Sequence, residues 1–275
     1  MEGHAVSLVL RDIDIGYRRH AVVSGLSPGV VEHGSLVAVL GPNGVGKSTL
    51  LRALAGLLPY AGHARLDDLD LRALDATRRS RHIGYLPQSL PQPTALVAYE
   101  TVLLACGIAT PGLARAARAQ RVEATLAALG LERIALTRMS ELSGGQRQMV
   151  GLAQVLVRTP RLLLLDEPTS ALDLRWQLDV LAQVRRVTRE AGAIALVVSH
   201  DLNLALRHCD SVLLLAPGHD YRFGSVDDML DADWLRRAYG VEARIERCSR
   251  GHPVVLADAP ATSQLTRAGR PTFTP

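Results

Sequence analysis

The sequence predicts an α/β fold built on a parallel sheet with helices on both faces. Three observations carry that prediction. Strand-sized runs such as "RLLLLDE", "AIALVVSH" and "SVLLLA" are apolar without alternation, as strands buried on both faces are. Segments of helical spacing separate them. A glycine-rich loop, "GPNGVGKST", joins an apolar run to a helix start, the join a nucleotide-binding α/β sheet requires.

In chain order, Val6–Leu10, Ala21–Val23 and Ser35–Leu40 read as strands separated by turns. The glycine-rich loop follows, then a helical segment Leu50–Leu58 stopped by Pro59. Residues 60–87 mix strand and helix and close on "IGYLPQ". From Ser89 to Ser140 alanine and leucine dominate, and "ARAARAQRVEATLAALGL" has helical spacing with a stop at Gly130. Leu142–Val157 is a further helix, entered through a serine and two glycines, and Pro160 resets the chain before the next strand. Trp176–Ala191 is helical. Beyond Val241 a short strand-like segment precedes a polar tail, from Asp258, expected to be disordered.

Composition narrows the function. With 275 residues, 48% hydrophobic and 21% charged, the chain can bury a sizeable core. A net charge of +4 with only 4% aromatic residues argues against a nucleic-acid surface, which needs clustered charge and stacking rings. The three cysteines, Cys106, Cys209 and Cys248, are odd in number and widely spaced, which points to reduced thiols. Met1–Asp14 mixes charged and apolar residues, so no signal peptide is expected. No apolar run approaches the roughly 18 residues of a membrane span. Of 31 basic residues all but one are arginine, and the exception is Lys47. A compact ammonium on a thin stem enters a tight backbone loop that a planar guanidinium cannot.

Lys47 lies in the chain's clearest motif. Gly41, Pro42, Asn43, Gly44, Val45, Gly46, Lys47, Ser48 and Thr49 match G-x-x-x-x-G-K-[ST] between a predicted strand and a predicted helix. Glycines let successive N–H groups wrap phosphates; Lys47 reaches the β and γ oxygens, and the Ser48 hydroxyl ligates Mg²⁺. Asp166 and Glu167 end "RLLLLDE", at the sheet edge where ligands bind. Asp166 suits the Mg²⁺ shell, and Glu167 suits the general base that polarises water. His200 ends another strand at that edge, in reach of a γ-phosphate and the water. Gln88 ends "IGYLPQ" and could contact Mg²⁺ or water, or mark a hinge. "LSGGQRQ", Leu142–Gln148, resembles a second anion cradle, a helix start with free N–H groups but no lysine.

These residues together resemble the nucleotide-binding subunit of ATP-binding cassette (ABC) transporters. The phosphate loop, Gln88, "LSGGQRQ", "LLLLDEP", "SALD" (Ser170–Asp173) and His200 occur in that family's order and spacing. The resemblance implies a P-loop NTPase fold with a mixed parallel-sheet core, an antiparallel β subdomain and a helical insert. It implies one ATPase domain over 1–240 with the helical subdomain, about 89–157, inserted in a RecA-like core. A short C-terminal extension over 241–257 and the polar tail of 258–275 would follow. It assigns Tyr17 to stacking on adenine, and Asp173 to a loop crossing to a partner subunit. It also implies that Ser143, Gly144, Gly145 and Gln146 complete the ATP site of a second copy, so that a homodimer sandwiches two ATPs with Mg²⁺.

"TSALDLRWQLDVL", "SHDLNLALRHCD" and "GSVDDMLDADWLRRAYGVEARI" further resemble the ATPases of iron-siderophore, haem and vitamin B12 importers, although such phrases also occur in manganese and zinc importers. The implied partners are membrane permease subunits and, indirectly, an extracytoplasmic solute-binding protein, with the chain peripheral on the cytoplasmic face of the inner membrane. A repair- or translation-type cassette ATPase would carry two cassettes, a long coiled coil or a zinc insert, none of which the sequence shows. A GTPase base reader, Asn-Lys-x-Asp, is impossible with Lys47 as the only lysine.

Overall fold

The computed structural model describes residues 7–17, 20–90, 92, 94–170, 172–229 and 231–261. The chain opens with β1 (Ser7–Tyr17), β2 (His20–Leu26), β3 (Gly29–Glu32) and β4 (Leu36–Leu40), then α1 (Lys47–Leu54), β5 (Ala61–Leu66), β6 (Leu69–Asp70), α2 (Ala76–His82) and β7 (Ile83–Leu86). Three helices follow: α3 (Ala98–Ala109), α4 (Arg115–Ala128) and α5 (Gly144–Leu156). Strand and helix then alternate through β8 (Leu162–Asp166), α6 (Leu174–Ala191), β9 (Ile194–Val198), α7 (Leu202–His208) and β10 (Ser211–Leu215). The chain continues with β11 (Tyr221–Ser225), α8 (Ala232–Tyr239), β12 (Val241–Arg247) and β13 (Pro253–Pro260).

The central sheet has the order β11-β10-β4-β9-β8-β7. Neighbours from β10 to β7 are parallel, and only the edge strand β11 runs antiparallel. The unbroken apolar runs of the sequence have a simple cause. Along each strand alternate residues enter two different cores. Val37, Val39, Leu162, Leu164, Ile194 and Leu196 pack with α1 and the antiparallel strands. Leu36, Ala38, Leu163, Leu165, Ala195 and Val197 pack with the helices on the other face. Both faces are covered, so neither parity is polar. Each fully buried leucine contributes about 1.5–3 kcal/mol.

A second sheet is antiparallel and built around β1, which pairs with β2, β3 and β5, while β6 extends β5. The α3–α5 helices form the helical insert, tied at its entry by a bridge between Val97 and Arg138. The chain thus combines a mixed sheet, an antiparallel β subdomain and a helical insert, as the resemblance implied. Several boundaries differ from the sequence reading. β1 runs to Tyr17, because β5 and β2 pair with it beyond Leu10. The helix after the glycine-rich loop starts at Lys47 rather than Leu50.

The C-terminal reading needs correction. The tail expected from Asp258 begins later: β13 runs through Pro260 and pairs with β12, with Val241 opposite Pro260 and Ala243 opposite Ala257. Asp258 itself meets Arg244 at 3.2 Å. A terminal proline is tolerated here because it ends a strand of a two-stranded ribbon. The remaining expectation of disorder, over 262–275, lies outside the described residues. Among the described residues no helix is long and apolar enough to cross a membrane.

Candidate nucleotide site

Four adjacent strands deliver the site. Gly41 follows β4, His200 lies just past β9, Asp166 ends β8 with Glu167 next, and Gln88 lies just past β7. In the sheet these strands stand side by side as β4-β9-β8-β7. Parallel pairing aligns their carboxyl ends: Leu86 sits opposite Leu165, and Asp166 opposite Val198. Residues far apart in the chain therefore converge at one edge.

Lys47 is the first residue of α1 and is 6% exposed. Its ammonium donates to the carbonyls of Gly41 at 2.7 Å and Pro42 at 2.9 Å, so the loop wraps its own lysine. Burial lowers the Lys47 pKa, and the nearby Glu167 and Asp166 carboxylates oppose that. The loop needs its glycines. Gly46 has φ 111°, and a Cβ there would lie 2.8 Å from Val23. A Cβ on Gly41 would lie 2.3 Å from the Leu215 carbonyl. No side chain caps the start of α1, so its leading N–H groups are left for an anion. Pro42–Val45 face Ala21, Val22 and Pro217–His219 across a cavity of about 290 Å³. Thr49 is half-buried in the first turn of α1. Tyr17 ends β1 opposite His20; its side chain lies outside the described residues.

Asp166 is 3% exposed and accepts from the Ser48 hydroxyl at 2.8 Å. Burial raises its pKa first of all; the Ser48 bond lowers it, Glu167 raises it and Lys47 lowers it. Glu167, 7% exposed, has φ 51°, a left-handed conformation that costs a non-glycine residue about 1–2 kcal/mol. That turn takes the chain out of β8 while Glu167 stays at the edge. Ser170 holds it there, donating its N–H and its hydroxyl to the Glu167 carbonyl at 3.3 and 3.1 Å.

Both carboxylate oxygens of Glu167 are engaged. His200 Nε2 meets Oε1 at 2.5 Å, and Gln88 Nε2 donates to Oε2 at 2.8 Å. His200 remains 46% exposed, so the group opens to solvent on one side. Gln88 and His200 thus clamp the Glu167 carboxylate from both sides.

The second cradle is elsewhere. Ser143 caps α5: its hydroxyl accepts from Gln146 N–H at 3.2 Å, and Gln146 Oε1 accepts from Ser143 N–H at 2.9 Å. Ser143, Gly144 and Gln146 are exposed, and Gly145 is half-buried. Asp173, exposed, caps α6 by accepting from Trp176 N–H at 3.0 Å. Ser143, Gly145, Gln146, Asp173 and Trp176 border a cavity of about 510 Å³ that shares no residue with those at Glu167 or the phosphate loop.

Sequence reasoning missed two side chains around this edge. Tyr239 on α8 accepts from Gly41 N–H at 2.9 Å. Asn203 on α7 makes paired bonds with the Val255 backbone at 2.8 and 3.2 Å. Both lie in stretches that carry the resemblance to metal-chelate importer ATPases, but neither has a residue type or spacing that assigns it a role.

Residues 29–170 match the family model described as ABC transporter. The chain is 35% identical over 258 residues to an uncharacterized ABC transporter ATP-binding protein of Methanocaldococcus jannaschii, covering 91% of this chain and 99% of that protein. It is 41% identical over 221 residues to the hemin import ATP-binding protein HmuV of Bordetella bronchiseptica, covering 77% of this chain and 84% of that protein. Among solved structures, a putative metal-chelate type ABC transporter in an inward-facing conformation aligns with TM-score 0.76 and 25% identity, over 95% of this chain and 100% of that one. A dimeric ATP-binding cassette in a post-hydrolysis state, bound to ADP and Pi, aligns with TM-score 0.71 and 27% identity, over 80% of this chain and 98% of that one. A chain that carries this phosphate loop and clamped glutamate, and aligns almost end to end with such proteins, belongs to the ABC transporter family as an ATP-binding, ATP-hydrolysing subunit.

Proposed function

We propose that the chain powers an importer for a metal chelate: a ferric siderophore, haem or cobalamin. It works as a homodimer beneath membrane permease subunits, on the cytoplasmic face of the membrane, with an extracytoplasmic solute-binding protein delivering the cargo. The hemin import relatives and the metal-chelate type transporter support this choice of solute class.

The observation that carries the ATPase half is the clamped carboxylate beside the lysine loop. Lys47 and the loop N–H groups hold the β- and γ-phosphates, and Tyr17 stacks on adenine. Glu167 takes the proton of the attacking water. His200 orients that water and the γ-phosphate, and with Gln88 holds Glu167 in place.

The residues present fit Mg²⁺. A hydroxyl and a buried carboxylate converge at Ser48 and Asp166, all-oxygen donors suited to a hard cation. Burial disfavours the Asp166 charge, which a cation would relieve. Ser48, Asp166 and the Gln88 amide oxygen would hold the ion, which would supply charge neutralisation to the phosphate when bound.

Ser143, Gly144, Gly145, Gln146 and Asp173 act in trans on the ATP of the other subunit. Hydrolysis removes the shared ligand and lets the subunits part, a shift driven by differential binding.

A deletion strain grown with hemin, a ferric siderophore or cobalamin as the limiting nutrient tests the solute class. Growth on one of these is expected to fail and to return with the wild-type gene but not with Lys47→Ala. A defect confined to manganese or zinc limitation overturns the chelate reading.

A further inference from the structure

β4 pairs with β10 as far as Leu40 opposite Leu214, and with β9 as far as Val39 opposite Val198. The next N–H, that of Gly41, lies beyond these pairings. A buried N–H without a partner is unfavourable. The Gly41 N–H is satisfied by a residue from the other end of the chain, the phenol oxygen of Tyr239 at 2.9 Å. The carbonyl of the same residue accepts from Lys47 at 2.7 Å. Gly41 is thus pinned on both sides, by α8 at its N–H and by the catalytic lysine at its carbonyl.

The helix that supplies the phenol is itself anchored. Asp231 caps α8 by accepting from the N–H groups of Asp233 and Trp234, and pairs with Arg222 of β11 at 3.0 Å. Gly240, at φ 66°, turns the chain into β12, and the Ala261 N–H returns to the Gly240 carbonyl at 2.8 Å. The β12–β13 ribbon is clasped to α7 by Asn203. Burial pushes the Tyr239 phenol up to about 12, further from ionisation.

We propose that Tyr239 is a positioning residue for the phosphate loop, holding Gly41 so that its carbonyl seats Lys47. The C-terminal unit of α8, β12 and β13 is then a brace for the nucleotide site and not an appendage. This rests on the reading that Lys47 binds the phosphates of ATP.

Tyr239→Phe keeps the ring and removes the acceptor. In the full chain, the Kd and KM for ATP are expected to rise about tenfold, with kcat changed much less and the melting point lowered by about 2–4 °C because the Gly41 N–H loses its acceptor. A lowered melting point with unaltered Kd and KM would assign Tyr239 to packing alone and overturn the proposal. So would a variant indistinguishable from wild type. Lys47→Ala is measured alongside. If it binds ATP as wild type does, the Lys47 reading itself fails; if it loses binding while Tyr239→Phe does not, only the brace fails. Should Tyr239→Phe not fold, amide hydrogen exchange on the unmodified, nucleotide-free chain decides. Gly41 is expected to exchange much more slowly than Gly44, and equal rates overturn the proposal.

Discussion

The chain has two helix starts that resemble anion cradles, and they differ in what they leave unmet. The start of α1 has no side-chain cap, lies among glycines with positive φ and contains a buried lysine. The start of α5 is capped by its own Ser143 and Gln146, is mostly exposed and has no basic side chain in its first turn before Arg147. The first keeps unsatisfied N–H groups and a desolvated cation next to desolvated carboxylates, an arrangement that an anion and a cation together relieve. The second is already quiet in a lone subunit. The contrast supports the proposal that the first cradle holds the nucleotide and the second completes the site of another copy.

The largest effect expected from breaking the first cradle follows from Glu167→Gln. Removing the base while keeping a hydrogen-bonding side chain of the same shape is expected to lower steady-state ATP hydrolysis by about 10²–10⁴-fold. ATP binding should persist, with an ATP-bound dimer appearing on size exclusion. A monomer with full turnover would remove Glu167 from the role of base.

A smaller but more pointed effect comes from mixing subunits. Lys47→Ala and Ser143→Arg chains are each expected to be inactive, because each destroys one half of both composite sites. Mixed, they form heterodimers with one intact site, and ATPase activity should partly return. No recovery would place both cradles in the same site, and the comparison between them would collapse.

The smallest effect is on stability. Burial raises the folded Asp166 pKa above its ordinary 3.8, so ionising this carboxyl is harder in the folded chain than in the unfolded one. The penalty is absent below pH 3.8, where the group is neutral in both states, grows as pH rises from there toward the raised folded value, and is constant above it. Asp166→Asn is therefore expected to raise the melting point of the nucleotide-free protein at pH 7 by about 2–4 °C. The gain should vanish toward acid pH in a thermal-melt series. A lowered melting point at pH 7 would show that the Lys47 and Ser48 contacts outweigh the desolvation.

Much of the site was legible because its chemistry demands particular residues at short spacing. A phosphate loop needs its glycines, lysine and hydroxyl within nine consecutive positions, and the Asp166–Glu167 pair is contiguous. The Glu167 clamp was legible only as a set of strand ends. That Gln88 and His200 grip the same carboxylate depends on β7 and β9 flanking β8, and nothing local sets strand order. The misread tail has a similar cause. Asp258–Pro260 is polar and proline-containing, and becomes strand because β12 pairs with it.

The sequence by itself determined most of the element types, the covered parallel sheet and the glycine-rich loop between a strand and a helix. Periodicity and motif spacing are local, and local patterns survive any arrangement of the rest. Only the tertiary structure decided which strand ends meet, that Glu167 is held from both sides, and that Tyr239 reaches Gly41. Those contacts span long stretches of chain, and they exist because distant strands share one sheet edge and α8 packs back against that edge.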